Sequence, residues 1–363
     1  MKKQSYLILI FLLLGLIMSI NLNAQTTHTV CSTGCDFTTI QAAINDAGTV
    51  NGDIIRILDA VHTESGILVS KDLTIEGLGA SSTIVQAHAD PGSAIDRVFN
   101  DTFGPNTVTF SDMTIRYGNA TGRGGGIYNY DDTIVISDCI ITDNIASSDG
   151  GGVYTDYYGS CSISNCKINS NIASTGTGGG LYNYRTMAYI LNSSFNSNTA
   201  ANEGGGVYNH YWGTITSFTN STIGNNELTA ANGNGGGLYN NGTISSFSNC
   251  TVSGNSCDND GGGIHNPGTI YSSSVTIANN ECGNLGGGIF MHGGGLTIQN
   301  TIIGNNIHTT PTTAADDYYY ISGTLNDNGY NLVEITNVGA GSGGFSDGVN
   351  NNIVGEQSNL NLS

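Results

Sequence analysis

Short apolar stretches rich in β-branched residues recur along this chain, among them Gly126-Ile-Tyr128, Thr133-Ile-Val-Ile-Ser137 and Cys139-Ile-Ile141. Clusters of Gly, Asn, Asp and Ser separate them. Runs of this length with turn residues at both ends predict strands and leave no room for helices. One segment differs. Over Phe37 to Gly48 the apolar residues Ile40, Ala43, Ile44 and Ala47 fall three and four apart and a Gly closes the run, which predicts a short amphipathic helix.

The strands belong to a repeat. Gly-Gly-Gly-aliphatic-aromatic-Asn, with some variation, begins at Gly124, Gly150, Gly178, Gly204, Gly235, Gly261 and Gly286, in steps of 25 to 31 residues. A second element, an apolar residue with Asn three positions later, keeps nearly the same step. Its Asn residues are Asn144, Asn171, Asn198, Asn226, Asn255, Asn280 and Asn306. A unit of this size with three short strands cannot bury its own apolar face, so it must stack on its neighbours. The prediction is an all-β solenoid, a parallel β-helix. Blades of a propeller need about 40 residues, and leucine-rich repeats need a Leu framework that is missing here.

Stacking turns repeat positions into columns. Ile141, Ile168, Phe195, Ile223, Val252, Ile277 and Ile303 should form one inward aliphatic column. Ala146, Ala173, Ala200, Leu228, Cys257, Cys282 and His308 should mark a tight corner. The Asn residues should bond one another and the backbone across the strand spacing of about 4.8 Å. Upstream, Asp53–Leu58, Gly66–Ser70 and Leu73–Gly77 read as strands of less regular first coils, with the helix covering the open end. The expected organisation is a cap and irregular coils over 25–117, regular repeats over 118–308, and an irregular tail or last coils over 309–363, with no comparable cap at that end.

Composition narrows the class. Gly numbers 53, but Pro only 4 and no Gly-X-Y period exists, which excludes collagen. A formal net charge of -19 argues against nucleic acid as a partner, because phosphate binding needs clustered cations. Residues 1–24, with Lys2 and Lys3, an apolar run and Ala24, read as a secretory signal peptide. No later stretch is apolar enough to span a bilayer as a helix. An exported protein can hold disulfides, and Cys31 and Cys35 are close enough in sequence to bridge, which we favour over a metal site. Cys257 and Cys282 share one repeat position and are expected to be neighbouring buried thiols.

Gly-Gly-Gly-Ile-Tyr-Asn alternating with motifs such as Phe195-Asn-Ser-Asn198 resembles the repeats of the polymorphic outer membrane protein family over residues 115–308. That family's hallmark is alternating Gly-Gly-Ala-Ile and Phe-x-x-Asn. Most copies here have Ile or Val for the Phe and a third Gly for the Ala. Asp36-Phe-Thr-Thr-Ile-Gln-Ala-Ala-Ile44 and the stretch Val61 to Ser65 resemble the first coil of pectin lyase-like proteins. The resemblance implies a right-handed parallel β-helix, secreted or on a bacterial surface or outer membrane, with adhesion as the usual assignment and a glycan or host cell-surface ligand as partner. The stretch after Asn306 is too short for an autotransporter barrel.

The competing reading is a polysaccharide lyase or glycoside hydrolase of the pectin lyase-like fold. A lyase needs a base, and beyond Lys2 and Lys3 the chain has only seven Lys and Arg. A hydrolase needs paired carboxylates; Asp131-Asp132, Asp258/Asp260 and Asp316-Asp317 exist, but each sits in a turn-like context where Asp is common. No cofactor is implied. Ca²⁺ at Asp131, Asp132, Asp258 and Asp260 has no supporting motif. His265 and His292 lack metal-ligand partners in sequence.

The candidate binding feature is therefore the aromatic position after each Gly triplet: Tyr128, Tyr154, Tyr182, Tyr208 and Tyr239, followed by His265 and Phe290. Strand alternation points these rings away from the core, so they form either a stacking ladder or an outward ligand platform, which Tyr211 and Trp212 would widen.

Overall fold

The computed structural model describes residues 25–101, 104–310, 314–338 and 344–355; the expected signal peptide lies outside them. The chain winds into a β-solenoid of about 11 turns. Its strands make parallel sheets of 21, 12 and 9 strands, apart from one antiparallel pair of Ile307–His308 with Ala314–Ala315. Each regular coil gives the largest sheet two strands, as with Ile127–Asn129 and Thr133–Ser137. It gives one to each of the others, as with Ile140–Thr142 and Ile145–Ala146.

The corners explain the turn residues. Between the second and third strands of a coil, Asp138, Asn165, Asn192, Asn220, Asn249, Ser274 and Asn300 take positive φ. Asp143, Ser170, Ser197, Asn225, Gly254, Asn279 and Asn305 do so at the next corner. Short polar side chains and Gly tolerate this left-handed backbone, which β-branched residues do not.

The predicted aliphatic column is continuous. Ile141, Ile168, Phe195, Ile223, Val252, Ile277 and Ile303 pair in register from coil to coil. All are buried within one core that runs from Val30 to Phe345. The Asn column beside it is fully buried and closed by its own bonds. Asn171 Oδ1 accepts from the backbone N–H of Asn144 at 3.1 Å and from its Nδ2 at 3.0 Å, and the same pair of bonds recurs through Asn306. Each Nδ2 donates again to a carbonyl one coil earlier, as Asn171 does to Ile141. Burial of so many amides costs little because every donor and acceptor is used.

The Gly triplet is the other side of the same contact. Its first residue has φ between 61° and 73° in the seven copies. A Cβ on the third, at Gly126, would lie 2.7 Å from the Gly152 carbonyl and 3.0 Å from Asn144 Nδ2. The two sequence elements share one period because one packs on the other.

At the N-terminal end, the helix Ile40–Asn45 buries Ile40, Ala43 and Ile44. Thr39 caps it, and the Glu64 carboxylate accepts from the N–H groups of Ile40 at 2.7 Å and Gln41 at 2.9 Å. Ala47, expected on its apolar face, is exposed. Asp46 ends the helix first, in an extended conformation, and its side chain accepts from Gly48 N–H at 2.7 Å. At the other end the coils continue past Asn306 in the strand Tyr318–Asp327, which pairs with Ile289–Gln299. Phe345 packs edge-on against Tyr318 at 5.1 Å and is buried in this end of the core, a contact the sequence did not reveal. Among the described residues no helix is long and apolar enough to cross a membrane.

Candidate functional site

In each strand after a Gly triplet, the aliphatic residue and the residue two later, Asn in five copies and Thr155 or Met291 in the others, face inward and the aromatic residue leaves by the other side of the sheet. Successive rings stack with centroids 5.6, 4.7, 4.8 and 5.4 Å apart along Tyr128, Tyr154, Tyr182, Tyr208 and Tyr239. His265 and Phe290 continue the column edge-on, and Tyr319 stacks on Phe290 at 5.9 Å. The column is a ladder, and its middle is closed to a ligand: Tyr154, Tyr182 and Tyr208 are 0%, 8% and 8% exposed. Of the two readings, ladder or outward platform, these three rings fit the ladder, while Tyr128 and Tyr239 at its ends are half-buried; alternation says which side of the sheet a ring leaves by and nothing about what then covers it. Burial pushes these phenols far above their ordinary pKa.

A second aromatic layer is the accessible one. Tyr158, Tyr211 and Trp212 are 65%, 66% and 53% exposed, and Tyr157 is 37% exposed. Around them Tyr157 meets Tyr158 at 4.7 Å and Tyr184 at 5.7 Å, and Tyr184 stacks on His210 at 4.1 Å and meets Trp212 at 5.7 Å. The Arg185 guanidinium lies 4.6 Å over the Tyr157 ring. These residues come from turns two to four positions after the column Tyr, in successive coils. Tyr211 and Trp212 were singled out in the sequence; Tyr157, Tyr158 and Tyr184 were not, although their place in those turns was legible.

The ladder begins at a cleft of about 540 Å³ lined by Arg97, Asn100, Asp101, Arg123, Tyr128 and Tyr130, with Gly122 and Ser148 at its edge. The guanidinium of Arg97 lies 4.8 Å over Tyr128 and that of Arg123 5.0 Å over Tyr154. Asp101 occupies the register position held by Asn129 in the next coil. Further along that position is a second amide column, in which Asn183, Asn209, Asn240 and Asn266 bond side chain to side chain at 2.8 Å. Asp101 Oδ2 accepts from the N–H groups of Tyr130, Asp131 and Asp132. Asp132 Oδ1 accepts from Asn106.

One oxygen from each of Asp101, Asp131 and Asp132 lies within 4.8 Å of the others, a spacing at which they could share a cation. Burial, with the neighbouring carboxylates, raises Asp101 to about 6 and Asp132 to about 7. Asp258 and Asp260 are not in that group. His265 is buried and its pKa lowered to about 3 by loss of hydration. Cys31 and Cys35 are disulfide-bonded with Cα atoms 5.5 Å apart. Cys257 and Cys282 pair in register as buried free thiols.

Residues 138–156, 192–210 and 249–267 match the Chlamydia polymorphic membrane protein repeat. In these three stretches the chain is similar to that repeat. Each matched segment opens on a left-handed corner residue, Asp138, Asn192 or Asn249, then holds one ladder Asn, one Gly triplet and one ring of the aromatic column. What the repeat conserves is therefore the packing unit of the solenoid. No curated protein matches the chain. Among solved structures, ORF18 of Geobacillus virus E2 is similar in fold, with a TM-score of 0.51 and 15% identity. The likeness covers 90% of this chain and 63% of the viral one.

Proposed function

We propose that this protein is a non-catalytic binding module displayed on a bacterial outer membrane or cell surface, an adhesin that holds a glycan. The observation that carries this reading is the exposed layer of Tyr157, Tyr158, Tyr211 and Trp212, which joins the ring ladder through Tyr184 and His210. Rings with few rotatable bonds lose little entropy on binding, and each joins an apolar face to a polar edge, which suits sugar rings. The matched repeat, named for membrane proteins, supports the surface placement. The test is binding of the exported protein to a glycan array and to intact cells, with reducing-sugar release followed in parallel. Tyr158→Ala with Trp212→Ala should cut binding at least tenfold with an unchanged melting temperature. Unchanged binding by that variant, or release of sugar by the wild type, would refute the reading.

A further inference from the structure

The inward aliphatic column does not begin with an aliphatic residue. Traced back from Ile141 through Ile115 and Val85, its register leads to His62, which is 6% exposed. Each ring nitrogen faces a carboxylate: Nε2 lies 2.9 Å from Glu64 Oε2, and Nδ1 lies 3.3 Å from Asp59 Oδ2. Both carboxylates hold the N-terminal cap. Glu64 accepts from the Ile40 and Gln41 N–H groups that open the helix, and Asp59 accepts from the N–H and hydroxyl of Ser32, inside the Cys31–Cys35 disulfide loop. His62 joins these two fastenings.

A neutral imidazole has one N–H and one lone pair, so between two carboxylates it bonds one and turns its lone pair on the other. An imidazolium bonds both. Burial by itself disfavours the charged ring, but Glu64 and Asp59 outweigh it and hold the His62 pKa above its ordinary 6.5. The other charged groups of the surrounding elements are engaged elsewhere. Asp36 accepts from Thr29 and Asp46 from Gly48, while Lys71 donates to carbonyls at the far end of the helix. Asp53 pairs with His28 and Arg56 with Glu76, and the next coil presents the neutral Val85.

We propose that His62 is a proton-operated latch: its imidazolium fastens the helix and the disulfide loop to the first coils, and loss of the proton loosens this cap. Because the folded pKa is raised, the fastening is complete below 6.5 and is lost as pH rises through the folded value. The device stands independently of the ligand-binding reading.

The test is local, because Asp101 and Asp132 also make overall stability fall as pH rises. NMR titration of the full chain gives the pKa of His62, assigned as the resonance missing from His62→Gln. Hydrogen-exchange mass spectrometry gives protection over residues 37–48 and, far along the solenoid, over 250–257. His62 should titrate above 6.5. Protection over 37–48, corrected for the intrinsic pH dependence of exchange, should fall at least threefold between pH 6 and pH 8.5, with no matching fall over 250–257. His62→Gln should abolish that pH dependence, and Glu64→Gln, which keeps an acceptor but removes the charge, should lower the His62 pKa. A His62 pKa at or below 6.5, or the same fall in His62→Gln as in the wild type, overturns the latch. If His62→Gln does not fold, the histidine that shifts in Glu64→Gln identifies His62, and the absence of any such shift overturns the proposal.

Discussion

Asn306 gives both its backbone N–H and its side-chain Nδ2 to one oxygen of Asp317, at 2.9 and 2.8 Å, so the column of buried amides that starts at Asn144 ends on a carboxylate. Each amide in the column passes its backbone N–H and one Nδ2 hydrogen to the Oδ1 of the next coil, and a chain of such donors needs a final acceptor. Asp317 supplies it, and its other oxygen accepts from Ile335 N–H. Asp317→Ala leaves the Asn306 donors unmatched in a fully buried site and should cost about 1–3 kcal/mol. Asp317→Asn keeps an acceptor and should cost less. Chemical denaturation of the two variants beside the wild type checks the order.

Asp132→Asn should change stability in a pH-dependent way. The folded pKa of Asp132, about 7, lies above its ordinary value of 3.8, so between those limits the folded state binds more protons. Its contribution therefore falls as pH rises through that window and is worst above about 7. Asp101, at about 6, acts in the same direction, whereas His265, at about 3, opposes it below 6.5. Because other groups also titrate, the readout is the difference between variant and wild type. Asp132→Asn should melt higher than wild type at pH 8, and the gain should disappear at pH 4. A gain that is the same at both values would show that Asp132 is not held protonated by the fold.

Ile168→Ala tests the aliphatic column. Ile168 is fully buried between Ile141 and Phe195, and deleting its side chain should cost about 2–5 kcal/mol, depending on how far the coils close over the cavity. Ile168→Asp, which puts an unpaired charge in the same place, should be more damaging still. Equal melting of wild type and Ile168→Asp would show the register to be wrong.

Tyr182→Ser and Trp212→Ala should separate the two aromatic layers. Tyr182 lies between two stacked neighbours and is nearly inaccessible, so its loss should lower stability by about 2–4 kcal/mol. Trp212 is half exposed, so its loss should shift stability by no more than about 0.5 kcal/mol while weakening ligand binding. Urea melts and array binding on the same preparations give both readings.

Six cysteines are free and buried, and burial raises the Cys257 thiol to about 12 and the Cys282 thiol higher still. At pH 8 these thiols should resist a water-soluble disulfide reagent in the native protein and react once it is unfolded. Rapid native labelling, or mass mapping that links Cys257 to Cys282, would contradict this.

The architecture was legible in the sequence because it is periodic. Ile141 to Ile303 and Asn144 to Asn306 each recur at one step, and a solenoid converts equal spacing directly into contact. The capping helix was legible from its apolar spacing, except that local bonding by Asp46 ended it before Ala47. Which rings are covered was decided only in three dimensions. Tyr154, Tyr182 and Tyr208 are buried partly by each other and by residues such as Tyr184, from turns whose lengths differ between coils, so no fixed spacing announces the contact. The same holds for Phe345 against Tyr318, and for the meeting of Arg97 and Asp101 with Tyr128, a coil away. The sequence by itself determined what repeats, because a repeated residue meets its own copy. Tertiary structure decided what does not repeat, because a break in the period makes contacts that depend on how each turn folds over its neighbour.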